Sequence, residues 1–122
     1  MATEQKRITE LEKRVQLLED RIGMLMELVD SDKYPFMFLA LESGLTESQV
    51  NQIFKLMEEV SKAIFNKKTP MSHSEFEERV YQIVPTHKND HHFAESIVRT
   101  LNKTSQYAEV YQHMKKSGMN LK

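Results

Sequence analysis

A seven-residue repeat near the N-terminus constrains the fold of this chain more than any other feature. The segment RITELE, residues 7–12, returns as RVQLLE at residues 14–19. With Ile8 set as position a of a heptad, every a and d position up to residue 29 is apolar. These positions hold Ile8, Leu11, Val15, Leu18, Ile22, Leu25 and Val29. A period of about 3.5 residues keeps such a strip facing a supercoiled neighbouring helix, which predicts a coiled coil over residues 1–31.

An amphipathic helix packed on its own domain is the alternative interpretation of this strip. Such a helix usually has a wider and less regular apolar face than the strict a and d pattern found here. The regular spacing therefore favours an N-terminal helix that associates with further copies of itself.

The charged residues beside the strip predict the direction of the association. Arg7 and Arg14 occupy position g, and Glu12 and Glu19 occupy position e. In a parallel bundle, position g of one helix faces position e of the next heptad on its neighbour, so opposite charges meet. In an antiparallel pair of identical helices, arginine would face arginine. The pattern therefore predicts parallel self-association.

The number of helices in the bundle is predicted by two competing rules. Branched residues at position a with leucine at position d favour two strands. The repeated hexad, however, matches the arginine-apolar-x-x-apolar-glutamate pattern of short trimeric coiled coils, in which the arginine stem covers the seam and its guanidinium pairs with glutamate. We predict a homotrimer, with a homodimer as the alternative. Gly23 costs about 1 kcal/mol of helix stability, so we expect the body of the protein to help hold the bundle.

Local signals predict that residues 32–122 form a helical body of five short helices. Pro35 suits a first helical turn, and Gly44 suits the left-handed position that ends it. Thr46 with Gln49 forms a capping box that opens a helix over residues 47–65. Further starts are predicted at Ser72, Asp90 and Ser105, and the 3.6-residue period of the apolar residues continues after each. The predicted fold is all-α: a parallel coiled-coil helix followed by a compact bundle of about five short helices. We expect a single domain in which the N-terminal helix packs on this body.

Composition narrows the classes of function. Lysine and arginine number 17 against 18 aspartates and glutamates, so the chain lacks the basic surplus of a typical nucleic-acid-binding protein. The absence of cysteine excludes thiolate metal ligands and suits a reducing compartment. No apolar run approaches the roughly 20 residues of a membrane-spanning helix, and the N-terminal residues are charged. We therefore expect a cytoplasmic protein that makes no membrane contact.

Two short motifs carry a resemblance to a known family. DKYPF at residues 32–36 is followed by ESGLT at residues 42–46. With the arginine-bearing heptads, these motifs resemble the YhaI-like family of small uncharacterised helical bacterial proteins, over about residues 7 to 117. The resemblance implies an all-helical cytoplasmic protein and is compatible with a trimer. It supplies no catalytic residues to carry over, and we expect no cofactor.

Residues 37–54 also have the spacing of a helix-turn-helix, with Gly44 at the corner. Gln49, Asn51 and Gln52 would then be the residues that read base edges, because amide side chains pair well with adenine. An ordinary helical corner is the competing interpretation. Acidic residues surround the motif, and a duplex would repel them. DNA binding by a transcription regulator is therefore the less favoured hypothesis.

Three histidines cluster at His87, His91 and His92, beside Asp90. In one continuous helix, His87 and His91 would share a face and could bind zinc. Pro85 and the cap expected at Asp90 instead place His87 in a loop. No third ligand follows at a fixed spacing, although His73 and His113 are candidates from elsewhere in the chain. We predict exposed polar residues with no metal, and the alternative is a pH-sensitive surface.

No nucleophile elbow, phosphate-binding loop, catalytic carboxylate pair or dinucleotide fingerprint is present.

The aromatic residues Tyr34, Phe36 and Phe38 are expected to be buried where the N-terminal helix meets the body, the alternative being an exposed patch for a partner. The sequence predicts a non-catalytic adaptor or regulator that acts through protein contacts, with a partner that the sequence does not identify.

Overall fold

The computed structural model describes residues 2–88, 90 and 92–121, and the predicted all-α fold is confirmed. The described residues form six α-helices and contain no strand. The helices are α1 (Ala2–Leu28), α2 (Pro35–Glu42), α3 (Glu47–Phe65), α4 (His73–Ile83), α5 (Phe93–Lys103) and α6 (Ala108–Ser117). A short 3-10 turn, Pro85–His87, follows α4.

The signals around α2 and α3 act as predicted. Pro35 lies in the first turn of α2, where its missing N–H is not needed. Gly44, with φ +70°, takes the left-handed conformation just after α2. Thr46 accepts a hydrogen bond from the Gln49 backbone N–H at 3.1 Å, and the Gln49 side chain accepts one from the Thr46 backbone N–H at 2.9 Å. The corner between the two helices is therefore set by local chemistry.

Two of the later helix starts were predicted wrongly. Helix α5 begins at Phe93 with His92 at the N-cap, and Asp90 instead accepts the His92 backbone N–H in the preceding turn. Helix α6 begins at Ala108 and not near Ser105, because Ser105 and Tyr107 have φ of +61° and +56°. A left-handed residue breaks a right-handed helix, so α6 cannot include either residue. The predicted start at Ser72 is confirmed, since its Oγ accepts from the Glu75 backbone N–H.

The hydrophobic core lies among α3, α4, α5 and α6, and α2 packs mainly on α5. Its largest fully buried side chains are Phe76, Ile53, Met57, Ile97, Leu101 and Met114. The three- and four-residue spacing of apolar residues in the sequence predicts that all of these face inward. Leu56, Met119 and Leu121 are buried as well, although the helical period did not predict them. Burial of Met119 and Leu121, which follow α6, ties the C-terminal segment to the body.

Helix α1 stands apart from this core. Its 27 residues span roughly 40 Å. The principal helix contacts lie among α2 to α6, and no described residue of α1 belongs to the core cluster. The predicted boundary at residue 31 falls within the turn that joins α1 to α2. Across the described residues, no helix combines the length and the apolar character needed to cross a membrane.

Candidate interaction surface

The apolar strip of α1 is open to solvent in the single chain. Its a and d residues from Ile8 to Leu25 are between 46% and 61% exposed, and Val29 is half-buried. They are Ile8, Leu11, Val15, Leu18, Ile22 and Leu25. A contiguous exposed apolar surface of this kind marks an interaction site in proteins of this size. Within the described residues, the strip from Ile8 to Leu25 does not pack on the body of its own chain.

Charged side chains border the strip. Arg7, Glu12, Arg14 and Glu19 are exposed. Within the part of the chain that the structure describes, the ion pairs of arginine are Arg79–Glu59 and Arg99–Glu95. The four residues on α1 thus form no ion pair with another described residue, and their charges are exposed to a neighbouring helix.

The outward face of α1 has a different character. Gln16 donates a hydrogen bond from Nε2 to Oδ1 of Asp20 at 3.0 Å, and the Thr9 hydroxyl donates to the Gln5 carbonyl oxygen at 2.8 Å. Gln16 and Asp20 occupy positions b and f, which point away from the seam of a coiled coil. Polar groups at these b and f positions bond within the helix, so this part of the helix surface is less suited to another helix than the apolar strip is.

The three residues predicted to read DNA differ in the hydrogen bonds that their side chains already make within the chain. Gln49 donates from Nε2 to the Ile83 carbonyl oxygen at 3.3 Å, in addition to its bond with Thr46, so its amide already links α3 to the end of α4. Gln52 donates to the Ser48 hydroxyl at 3.2 Å, and Asn51 is exposed. DNA reading by Asn51 and Gln52 stays a prediction, and the bonds of Gln49 argue against its part in it.

His87 was predicted to be exposed, but it is half-buried and packed against other residues. Its ring stacks on Phe93, with 4.4 Å between centroids and 13° between the planes. Its Nε2 donates a hydrogen bond to the Ser43 carbonyl oxygen at 3.0 Å, which joins the turn after α4 to the end of α2. His92 is exposed as predicted, and His91 lies outside the described residues. His87 therefore acts as a structural link in this fold.

The other two histidines also join distant segments. His73 places Nδ1 3.1 Å from the Ser117 hydroxyl oxygen, which also accepts the His73 backbone N–H at 2.9 Å. His113 donates from Nε2 to the Met71 carbonyl oxygen at 2.8 Å. Both bonds tie the start of α4 to α6, a role that residue spacing did not predict. No group of three or more histidine, aspartate or glutamate residues within the described ranges is arranged to hold a metal.

The aromatic segment after α1 divides into two environments. Phe36 is buried and meets Phe54 edge to face, with ring centroids 5.2 Å apart. Phe38 is half-buried, whereas Tyr34 is 51% exposed. The predicted burial is thus confirmed for Phe36, although its aromatic partner lies on α3 and not on the N-terminal helix, and it is wrong for Tyr34.

These features define an all-helical protein with a protruding N-terminal helix and an open heptad strip. The chain belongs to the family described as protein of unknown function (DUF1878), whose model matches residues 9–117. The match confirms that the chain is a member of an uncharacterised family, while the YhaI-like name stays a prediction. No solved structure matches the chain.

Proposed function

We propose that this protein is a non-catalytic homotrimer held by a parallel coiled coil of α1, and that it acts as an adaptor or regulator through protein contacts. The observation that carries the proposal is the exposure of the a and d strip over residues 8–25. The lack of cysteine suits work in a reducing compartment such as the cytoplasm.

Burial of the strip supplies the free energy of association. From Ile8 to Leu25 it extends over roughly 25 Å of helix. Complete burial of one large aliphatic side chain is worth about 1.5–3 kcal/mol, and each helix contributes six half-exposed ones. The exposed ion pairs add only about 0.2–1 kcal/mol each. Apolar burial thus drives assembly, and the charges select the parallel direction.

The arginine hexads favour three helices over two. Arg7 and Arg14 are each followed, five residues later, by a glutamate at position e. In a trimer the aliphatic stem of such an arginine lies along the seam, while the guanidinium reaches the neighbour's carboxylate. A homodimer, favoured by the branched residues at position a, is the alternative.

The geometry of the chain also supports an adaptor role. Every body is joined to α1 at the same end, so a parallel trimer presents three identical bodies side by side. Three linked copies raise the avidity for a repeated partner without any new contact. An assembly of this kind needs no catalytic group to be useful.

Size-exclusion chromatography with light scattering tests the proposal. We expect the mass of three chains for the native protein and of one chain for Leu18→Asp, because a charge at position d would be buried without a partner. Thr9→Asp, at an outward position b of the same helix, is the matched control and should keep the native mass. A monomeric native protein contradicts the proposal.

A further inference from the structure

The borders of the coiled-coil strip change character where α1 approaches the body. Position g holds Arg7, Arg14 and Arg21 and then Leu28, while position e holds Glu12 and Glu19 and then Met26. Both charged borders thus become apolar in the last heptad. Leu28 is 82% exposed, although the charge pattern of the first heptads would place arginine there. An apolar residue in this place indicates an apolar neighbour.

A second apolar strip runs beside the seam on the same side as position g. Leu17 and Met24, both at position c, lie next to Leu28 on the helix surface, and all three are exposed. Residues three, four and seven apart on a helix form one face. We call Leu17, Met24 and Leu28 the side strip of α1. It widens the apolar surface of α1 towards its C-terminal end.

The coiled-coil register determines what the end of the side strip meets. In the parallel arrangement, Arg7 faces Glu12 and Arg14 faces Glu19 of the neighbouring copy, an offset of five residues. The same offset takes Leu28 to Lys33 of the neighbour, which lies in the turn before α2. Leu28 of one copy is thereby placed beside the start of α2 in the next.

This turn is short and well held. Asp30 accepts hydrogen bonds at Oδ1 from the backbone N–H groups of Asp32 and Lys33, at 3.0 and 3.2 Å. The Asp30 carbonyl oxygen accepts from the Tyr34 backbone N–H at 2.9 Å. Helix α2 therefore remains close to the end of the seam, where the copies of α1 in a bundle lie only about 8–10 Å apart.

Helix α2 presents an apolar face that its own body does not cover. Phe36 and Ala40 point into the core, whereas Tyr34, Met37 and Leu41 are 51%, 47% and 43% exposed. The spacing of three and four residues puts these last three on one side, which we call the outer face of α2. Lys33, whose Nζ lies 5.5 Å from the Tyr34 ring centre, marks its polar edge.

We propose that the outer face of α2 in one copy packs on the side strip of α1 in the neighbouring copy. The proposal rests on the parallel coiled coil proposed above and extends its interface to the body. Both surfaces are open in the single chain, and the register brings them together only between copies. The coiled-coil seam is short and contains Gly23, which weakens the helix. A stable interface buries about 800 Å² per partner, and the proposed contact would add to the area that the seam buries.

Cross-linking between differently labelled copies tests this contact directly. The chain has no cysteine, so introduced cysteines are the only thiols. Leu28→Cys and Met37→Cys would be placed on separate chains, one with a mass tag, then co-expressed and treated with a short bismaleimide. We expect a product that joins one chain of each kind. Phe65→Cys in place of Met37→Cys is the matched control, since Phe65 is an exposed apolar residue on α3, and it should give no such product.

A third variant separates failure of this contact from failure of the coiled coil. Leu18→Cys lies at position d, where parallel copies bring their side chains together. Cross-linking at Leu18→Cys without a product between Leu28→Cys and Met37→Cys would overturn the proposed contact and leave the coiled coil standing. Absence of cross-linking at Leu18→Cys would overturn both.

The contribution of this contact to the stability of the trimer is measured from the protein concentration at which the trimer dissociates on dilution. The double variant Met37→Glu with Leu41→Glu places two charges on the outer face of α2, and both positions are exposed in the single chain, so the body should fold. We expect its trimer to dissociate at a concentration about tenfold or more above that of the native protein. Phe65→Glu is the control and should dissociate at the native concentration. Equal dissociation of the double variant and the native protein would refute the contact.

Discussion

Ser61 of α3 donates a hydrogen bond to Glu109 of α6, with 2.6 Å between the serine Oγ and the glutamate Oε1. Ser61 is buried within the helical body at 7% exposure. The bond crosses the interface between two helices that are far apart in sequence, and the hydroxyl supplies the donor that a partly buried carboxylate needs.

Replacement of Ser61 by alanine should lower the free energy of unfolding by about 1–2 kcal/mol, because the Glu109 carboxylate then loses its donor while remaining partly buried. Urea denaturation followed by circular dichroism measures the change. Glu109→Gln keeps an acceptor oxygen for the Ser61 hydroxyl, so it should lower the free energy of unfolding by less than Ser61→Ala does. A Ser61→Ala protein as stable as the native one would mean that water replaces the hydroxyl.

Charge reversal on α1 should reveal the direction of the helices. In a parallel bundle, Arg14→Glu sets glutamate against Glu19 of the neighbour and weakens the assembly, by about 0.2–1 kcal/mol for each pair at low salt. The double variant Arg14→Glu with Glu19→Arg restores opposite charges and should regain that loss. Thermal unfolding at low and high salt measures both effects, because salt screens exposed charges. Stabilisation by Arg14→Glu alone would indicate antiparallel helices, in which position g faces position g.

Two glycine-to-alanine changes should act in opposite directions. Gly118 has φ +115°, and a Cβ there would lie 3.1 Å from Cε1 of His73, so Gly118→Ala should destabilise the body by about 1 kcal/mol or more. Gly23 lies within α1, and apart from its chain neighbours and the backbone of its own helix turns, no described atom lies within 4 Å of the position of an added Cβ. Gly23→Ala should therefore strengthen the helix by about 0.5–1 kcal/mol. Thermal melts of both proteins test the pair, and a shift of the same sign in both would contradict this reasoning.

The stability of the protein should fall at alkaline pH, partly through Tyr107. Burial of the phenol, together with its 2.8 Å hydrogen bond to Glu58, raises the pKa of Tyr107 from 10.0 to about 12. Because the unfolded chain loses this proton first, the stabilisation is complete below pH 10 and is lost as the pH rises from about 10 to 12. Tyr107→Phe should show a shallower loss of stability in urea titrations over this range. An unchanged slope would show that the phenol ionises alike in both states.

The elements around α2 and α3 were predictable because their signals are local. A proline in the first turn, a glycine after the last turn and the reciprocal bonds of Thr46 and Gln49 each act within four residues. The start of α6 was not predictable in this way. Ser105 is a good N-cap residue by type, but the backbone at Ser105 and Tyr107 is left-handed, and Tyr107 is held by a bond to Glu58, 49 residues earlier.

The candidate interaction surface also has features that the local sequence predicts and features that depend on distant contacts. The a and d strip and its charged borders follow from residue type and spacing alone, so the sequence locates them, and their role in self-association stays a prediction. The exposure of Tyr34, Met37 and Leu41 was not, because α2 is mostly apolar and its period does not show which side the body covers. The links made by His73, His87 and His113 also lacked a signal, since each histidine bonds to an atom more than 40 residues away.

The sequence alone determined that the chain is helical, where α2 and α3 begin, and which face of α1 is apolar, because these properties depend on neighbours within one or two turns. Tertiary packing decided that α1 stands clear of the body, that the histidines act as links, and which side of α2 remains open. These outcomes depend on which distant surfaces bury one another, and that choice is made by the fit of whole helices and not by any short run of residues.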